Sequence, residues 1–131
     1  MNRQGEDLQT FLQKLINRIY GLLAIAISDR DGVSLLKVTS QNYVEDPSEA
    51  VLAATFAVAS EQASKLRMGK NKTITSFFED KILVHFNHLP LVISFIGTKN
   101  LNVGEILSFG DEIKKALDPI KASIKDSEKD I

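Results

Sequence analysis

The stretch PSEAVLAATFAVASEQASKLR, Pro47–Arg67, decides the fold, because it predicts a long helix with almost no polar face. Asp46 is a natural N-cap, Pro47 suits the first helical position, and Glu49 completes a capping box. Gly69 is the glycine expected just after the C-terminus of this helix. The face predicted to pack on a sheet consists of Leu52, Phe56, Ala59, Ala63 and Leu66.

Two further stripes of low polarity flank that face. One consists of Val51, Thr55, Val58 and Gln62, and the other of Ala53, Ala57, Ser60 and Ser64. A surface helix in a monomer needs an apolar stripe of little more than about 100°, and this helix exceeds that. Either loops of the same domain cover the excess, with Thr39–Ser48 as the candidate loop, or a partner chain does. The chain is short and has few long loops, which favours the partner.

Apolar periodicity outside this stretch predicts two more helical regions and five strands. In chain order, the sequence predicts a helix over Glu6–Arg18, strands over Leu22–Ser28 and Ser34–Val38, the long helix, strands over Lys72–Glu79, Lys81–His88 and Leu89–Gly97, and a final helix from Asn102. The first strand is apolar on both faces, with Leu23, Ile25 and Ile27 opposite Leu22, Ala24 and Ala26. We therefore expect one α+β domain over residues 1–125 and a charged tail over 126–131.

The ends of the predicted elements carry recognisable signals. Asn102 followed by Glu105 is a helix N-cap, and Pro119 with Asp118 before it predicts a kink or restart in the last helix. The strand Lys72–Glu79 is a candidate sheet edge, and exposed edges invite pairing with another chain. The predicted partner interface combines the two helix stripes with one face of this strand: Val51, Ala53, Thr55, Ala57, Val58, Ser60, Gln62, Ser64, Thr73, Thr75 and Phe77.

The segment SDRDGVSLLKV, Ser28–Val38, places two carboxylates and a glycine between apolar runs. Counted from Asp29, a calcium loop would need an oxygen ligand at the fifth position, glycine at the sixth and glutamate at the twelfth. Those positions hold Val33, Ser34 and Ser40. We therefore interpret Asp31-Gly32 as a hairpin turn in which glycine accepts a positive φ.

Composition excludes several classes of protein. The chain has 131 residues, a net charge of −1 and no cysteine, so disulfides, thiol nucleophiles and thiolate zinc sites are absent, and the charge gives no attraction for nucleic acid. Its most apolar run, Leu89–Gly97, is far shorter than the roughly 20 residues of a membrane-spanning helix. We expect membrane association only through partners.

No residue pattern predicts catalysis, a metal site or a cofactor. His85 and His88 point to opposite faces of one strand, where we expect surface or edge positions and no shared metal ion. The sequence GKNK, Gly69–Lys72, lacks the spacing of a phosphate loop and ends a helix where such a loop would begin one. An enzyme is therefore a poor expectation, although a sensor or enzyme with a pocket between sheet and helices stays open.

The segments SDRDGV, ASKLRMGKNKTI and VHFNHLPLVISFIG resemble the family of MEK-binding MAPK scaffold subunits of the Ragulator, the late endosomal and lysosomal adaptor. The likeness runs in order from about Leu8 to Leu117, and only the loop Gln41–Ala50 and the polar tail depart from the family pattern. The resemblance implies the roadblock (LC-seven) fold: a five-stranded antiparallel sheet between helices, in the order α-β-β-α-β-β-β-α. It also implies dimerisation through the second helix and the third strand.

The same resemblance implies a role and a set of partners. It implies a non-catalytic scaffold that pairs with a second roadblock subunit and is held at the cytoplasmic face of the late endosome or lysosome by a lipidated anchoring subunit. It implies docking of Rag GTPases for activation of the TOR kinase, and scaffolding of the MEK and ERK kinases. The alternative is a homodimeric roadblock-type regulator of a small GTPase or motor.

Overall fold

A single five-stranded sheet organises the chain. The computed structural model describes residues 3–45, 49 and 51–129. Its elements are α1 (Arg3–Arg18), β1 (Leu22–Asp29), β2 (Ser34–Thr39), α2 (Leu52–Ser64), β3 (Thr73–Phe77), β4 (Lys81–His88), β5 (Leu91–Thr98), α3 (Val103–Ser108) and α4 (Gly110–Lys129). The sheet order is β2-β1-β5-β4-β3, and every pairing is antiparallel. The predicted α+β fold and antiparallel sheet are confirmed, with β5 central and β3 at an edge.

One face of the sheet, called the core face below, carries the main hydrophobic core. Helices α1, α3 and α4 pack on this face, and their apolar residues meet alternate residues of all the strands except β3. The fully buried side chains include Leu12, Ile25, Ile93, Phe95 and Leu117. Burying an aliphatic or aromatic side chain of this size contributes about 1.5–3 kcal/mol, so this face supplies most of the hydrophobic stabilisation.

The opposite face, called the α2 face, is covered by α2 alone among the described elements. Its apolar cluster consists of Ala53, Phe56 and Val92, with Ile74 packed against it. The buried polar side chains of the described residues, namely Ser28, His85, Asn87 and Ser94, also lie here. Register places them together, because His85 pairs with Ser94, and Val92 pairs with both Ser28 and Asn87. This face is therefore thinner and more polar than the core face.

Strand β1 contains an irregularity that the sequence pattern did not predict. Its pairing with β5 shifts register between Leu22 and Ala24, so that Leu23 has no partner in that ladder. Leu22 consequently joins Ile25 and Ile27 in the core, and Leu23 is only half-buried. The predicted strict alternation, with Leu23 beside Ile25 and Leu22 opposite, is wrong because one extra residue reverses the faces.

The first hairpin has the predicted turn. Gly32 has φ +91°, and its N–H donates to the carbonyl of Asp29 at 3.1 Å. Oδ1 of Asp29 accepts the backbone N–H groups of Asp31 and Val33 at 2.9 and 3.0 Å. The carboxylate therefore stabilises a turn, as the sequence predicted.

Helix α2 is shorter than the predicted Pro47–Arg67. Its N-cap position is Val51, without a side-chain hydrogen bond, and Glu49 pairs with Lys37 instead of completing a capping box. The predicted signals at Asp46 and Pro47 lie outside the described residues. The helix ends at Ser64, and the turn that follows includes Arg67 at φ +56°, so Gly69 is not the residue after the C-cap.

The final helical region is interrupted at Phe109, and not at Pro119 as predicted. Asn102 caps α3 as expected, its Oδ1 accepting the N–H of Glu105 at 3.2 Å. The residue after the break packs tightly on the sheet, since a Cβ on Gly110 would lie 2.7 Å from the Phe86 ring. Pro119 sits within α4, which continues to Lys129. The boundary between domain and tail at residue 125 stays a prediction.

Candidate partner interface

Helix α2 contacts the sheet through a face that only partly matches the predicted one, sharing Phe56 with it. Ala53 and Phe56 are 5% and 3% exposed, whereas Ala59 is exposed and Leu66, beyond the helix end, is 68% exposed. The helix is rotated by about one position relative to the prediction. Alanine is apolar but small, so a helix this rich in alanine gives no sharp direction to its hydrophobic face.

One of the two predicted stripes faces outward along its whole length. Val51, Thr55, Val58 and Gln62, called the outer stripe, are all exposed, with Val51 at 57% and Val58 at 59%. The second stripe turns inward at its start, since Ala53 is buried and Ala57 and Ser60 are half-buried. Ala57, Ser60 and Ser64 line a cleft between α2 and the sheet. The structure thus separates two stripes that the sequence treated alike.

The edge strand β3 presents its predicted residues to the opposite side of the sheet from α2. Thr73, Thr75 and Phe77 pair with Phe86, Val84 and Ile82, which belong to the core face. Ile74 and Ser76 pair with His85 and Leu83 on the α2 face. The tight turn at Glu79-Asp80 fixes this register. The face to which each β3 residue points could therefore have been inferred from the sequence, although the predicted interface did not take it into account.

The surface that joins α2 to the edge therefore uses the alternate residues of β3. Ile74 packs against the cluster beneath α2. Phe78, one residue past the strand, is 60% exposed and lines a cleft that also contains Leu52 of α2. Ile74 and Phe78 thus link the edge strand to α2, whose outer stripe is exposed.

His85 lies at the centre of the α2 face and not at the surface position predicted for it. Its ring stacks on Phe56 with centroids 5.0 Å apart, and its Nδ1 lies 2.9 Å from the hydroxyl of Ser94. Burial lowers the pKa of His85 to about 4, because a cation there would lose its hydration. The ring is therefore neutral near pH 7 and acts as part of the packing under α2.

His88 lies on the other side of β4, as predicted. Its Nε2 is 3.1 Å from the Asp118 carboxylate of α4. Burial, and after it the positive charges of Lys121 and Lys114, lower the pKa of His88 and together outweigh the opposite effect of Asp118. In the part of the chain that the structure describes, no cluster of three or more histidine or acidic side chains could hold a metal ion.

A small ionic cluster fixes the loop that precedes α2. Lys37 on β2 binds the carboxylates of Glu45, at 2.6 Å, and of Glu49. The Tyr43 ring lies 5.5 and 5.6 Å from the ammonium groups of Lys37 and Lys81. Burial lowers the pKa of Lys37, but the two carboxylates outweigh this effect and raise it overall. The described part of this loop still leaves the outer stripe more than half exposed at Val51 and Val58.

Within the described residues, no helix has the length and apolar character required to cross a membrane.

Residues 6–124 match the family model described as mitogen-activated protein kinase kinase 1 interacting. The chain is 40% identical over 120 residues to Ragulator complex protein LAMTOR3-A of Xenopus laevis, covering 92% of this chain and 98% of that protein. It is 37% identical over 123 residues to the Drosophila melanogaster LAMTOR3 homolog, covering 94% and 99%.

Solved structures agree on the fold at low sequence identity. The gliding protein mglB from Thermus thermophilus superposes with a TM-score of 0.75 at 16% identity, covering 94% of both chains. A roadblock/LC7 domain from Streptomyces avermitilis gives a TM-score of 0.66 at 11% identity, covering 82% of this chain and 91% of that one. The roadblock fold and the family resemblance predicted from the sequence are confirmed.

Proposed function

Since the chain belongs to the family described as mitogen-activated protein kinase kinase 1 interacting, we propose that it is a non-catalytic adaptor subunit of a Ragulator-like complex. In this proposal it forms a heterodimer with a second roadblock subunit. Support comes from relatives that are named as Ragulator complex proteins and that this chain matches along nearly their whole length. The adaptor role uses surfaces for binding and requires no reacting group.

One pair of observations carries the proposal: the outer stripe of α2 is exposed, and the sheet ends at β3, whose Ile74 packs beneath the same helix. Val51 and Val58 are each more than half exposed, although α2 contributes few residues to its own core cluster. Strand β3 is the outermost strand on this side, so its outward backbone groups are available for another strand. A partner that packs on α2 and pairs with β3 satisfies both features at once.

The wider set of partners extends the same proposal. A lipidated subunit holds the heterodimer at the cytoplasmic face of late endosomes and lysosomes. The assembled complex docks Rag GTPases for TOR kinase activation and scaffolds MEK and ERK. The names of the relatives and the sequence resemblance support these roles, and co-purification of the chain from its own cells, with identification of stoichiometric partners, tests them.

A matched pair of variants tests the interface. Val58→Glu places a carboxylate in the outer stripe, and Val33→Glu makes the same change at a position with the same exposure, 58% against 59%. A glutamate buried against a partner without a counter-charge loses hydration that nothing replaces. We expect Val58→Glu to weaken association with the second roadblock subunit by at least about tenfold, and Val33→Glu to leave it unchanged, measured by light scattering and titration.

The solution mass of the chain alone separates the proposal from its alternative. A monomer that becomes a one-to-one complex on addition of the second roadblock subunit supports the heterodimer. A stable homodimer that does not exchange with that subunit would instead support a homodimeric regulator of a small GTPase or motor. Wild-type affinity in the Val58→Glu variant would remove α2 from the interface.

A further inference from the structure

A cleft at the end of the sheet is separate from the outer stripe. It lies between the C-terminal half of α2 and the chain segments that enter β3 and leave β4, with a volume of ≈470 Å³. Phe56, Val92 and Leu89 supply apolar lining, while Asn71 and Asn87 supply amide groups. Its volume falls in the range of about 300–1,000 Å³ that is typical of binding sites.

Asn87 holds the walls of this cleft in place. Its Nδ2 donates to the carbonyl of Asn71 at 2.8 Å and to the Ser60 hydroxyl at 3.3 Å. Its Oδ1 accepts the N–H of Leu89 at 3.3 Å. One buried amide thus ties helix α2, the loop before β3 and the end of β4 together, so the cleft has fixed walls.

Cations line the cleft from two directions. Arg30 comes from the β1–β2 hairpin and Lys70 from the loop after α2, and Glu61 is the one carboxylate in the lining. The loop over residues 65–72 adds Lys65, Arg67 and Lys72 and contains no acidic residue. Among the described residues, none of these five cations takes part in a salt bridge. Counting Glu61 and the hairpin carboxylates Asp29 and Asp31 against these five cations, the local charge stays positive in a chain whose net charge is −1.

We propose that this cleft and the basic loop bind an acidic peptide segment of a partner protein. Carboxylates of the peptide meet Arg30 and Lys70, and an apolar side chain of the peptide lies against Leu89, which is 36% exposed. A concave site with an apolar floor and amide groups suits a peptide better than a flat membrane surface. Leu66 and Met68, which are 68% and 84% exposed, extend the apolar contact along the basic loop. This inference does not depend on which subunit covers the outer stripe.

The test uses the full chain labelled with ¹⁵N and a short peptide of alternating glutamate and leucine as the probe. We expect saturable shifts in the backbone amide signals of Arg30, Lys70, Asn71 and Asn87, and an affinity that falls as salt rises. A matched peptide with lysine in place of glutamate should not bind. Absence of saturable shifts, shifts confined to the outer stripe, or equal binding of the lysine peptide would each overturn the proposal.

Charge-reversal variants locate the site on the protein. Arg30→Glu combined with Lys70→Glu should raise the Kd for the acidic peptide at least about tenfold. Lys99→Glu combined with Lys115→Glu alters net charge equally at exposed sites elsewhere, and should retain affinity. Equal losses in both double variants would show unspecific attraction and contradict the proposal. Binding to phosphatidylserine vesicles that the peptide fails to displace would assign the surface to a membrane instead.

Discussion

The chain's own helices cover the two faces of the sheet to different degrees. On the core face, three helices bury a continuous apolar cluster that includes Phe95, Ile93 and Leu117. On the α2 face, one helix packs on Val92 through Phe56, and polar side chains such as His85 occupy the middle of the sheet. The difference indicates that most of the stability comes from one side of the sheet, and the proposed function assigns association to the other side. The core face holds the fold together, and the α2 face leaves more of its covering helix exposed.

The largest expected difference between the faces comes from one substitution made on each. Phe95→Ala removes a fully buried ring from the core face, which should lower the free energy of unfolding by about 3–5 kcal/mol. Phe56→Ala removes the same ring from the α2 face, where neighbouring clefts leave fewer packed atoms, and should cost clearly less. Urea unfolding measures both values. Equal costs would mean that the two faces are equally well packed.

A change in the hairpin that joins β1 and β2 gives a reference loss of stability that does not involve the packing of either face. Gly32 has φ +91°, and a β-branched side chain is strained in that region. Gly32→Val should therefore lower stability by about 1–2 kcal/mol or more. Asp29→Asn retains an Oδ1 acceptor for the turn and should cost little. An unchanged melting temperature in Gly32→Val, or stabilisation of the wild type by calcium, would contradict this account of the turn.

Acidification should weaken the α2 face through His85. Burial lowers the folded-state pKa of His85 from 6.5 to about 4, so the unfolded chain binds the proton first. The stability contributed by the neutral His85 is therefore present above about pH 6.5 and is lost as the pH falls toward 4, by on the order of 1 kcal/mol at pH 5.5. His85→Gln should remove most of this dependence of stability on pH, while His88→Gln should remove less of it. A wild-type stability that is flat between pH 7.5 and pH 5.5 would show that His85 is accessible to solvent.

The smallest effect on the isolated chain is expected in the outer stripe. Val58→Glu exchanges one exposed side chain for another and should change the free energy of unfolding by less than about 0.5 kcal/mol. Ala57→Glu, one position away, places a carboxylate in a half-buried position beside the cleft and should destabilise the fold more. The sequence alone gave no basis for separating these two changes. Thermal melts of both variants test this difference, and an equal loss of stability would contradict the observed helix rotation.

The sequence predicts the fold well wherever large apolar residues alternate between clear turn signals. Strand β4 has the predicted bounds, Lys81–His88, because Ile82, Val84 and Phe86 repeat with period two after a turn. The rotation of α2 could not be predicted, since its alanines give several equivalent faces. The break at Phe109 depends on the approach of Gly110 to Phe86, a contact between residues far apart in the chain.

Some features of the interface could likewise be predicted from the sequence, and others could not. The outer stripe was predicted as one of two candidates, and only tertiary packing separates it from the stripe that begins at Ala53. The register of β3 could have been inferred, because the turn at Glu79-Asp80 pairs Phe77 with Ile82. The buried position of His85 depends on Phe56 and Ser94 meeting it from other elements, which periodicity within one strand does not reveal.

Hydrogen exchange with and without the second roadblock subunit tests the central claim most directly, because it reads both faces of the sheet in one measurement. The account predicts that amides of α2 and β3 gain protection of at least about tenfold when the subunit binds, while those of α1 and α4 do not change. Gains confined to α1, α3 or α4, with α2 and β3 unaffected, would contradict the assignment of the α2 face as the partner surface.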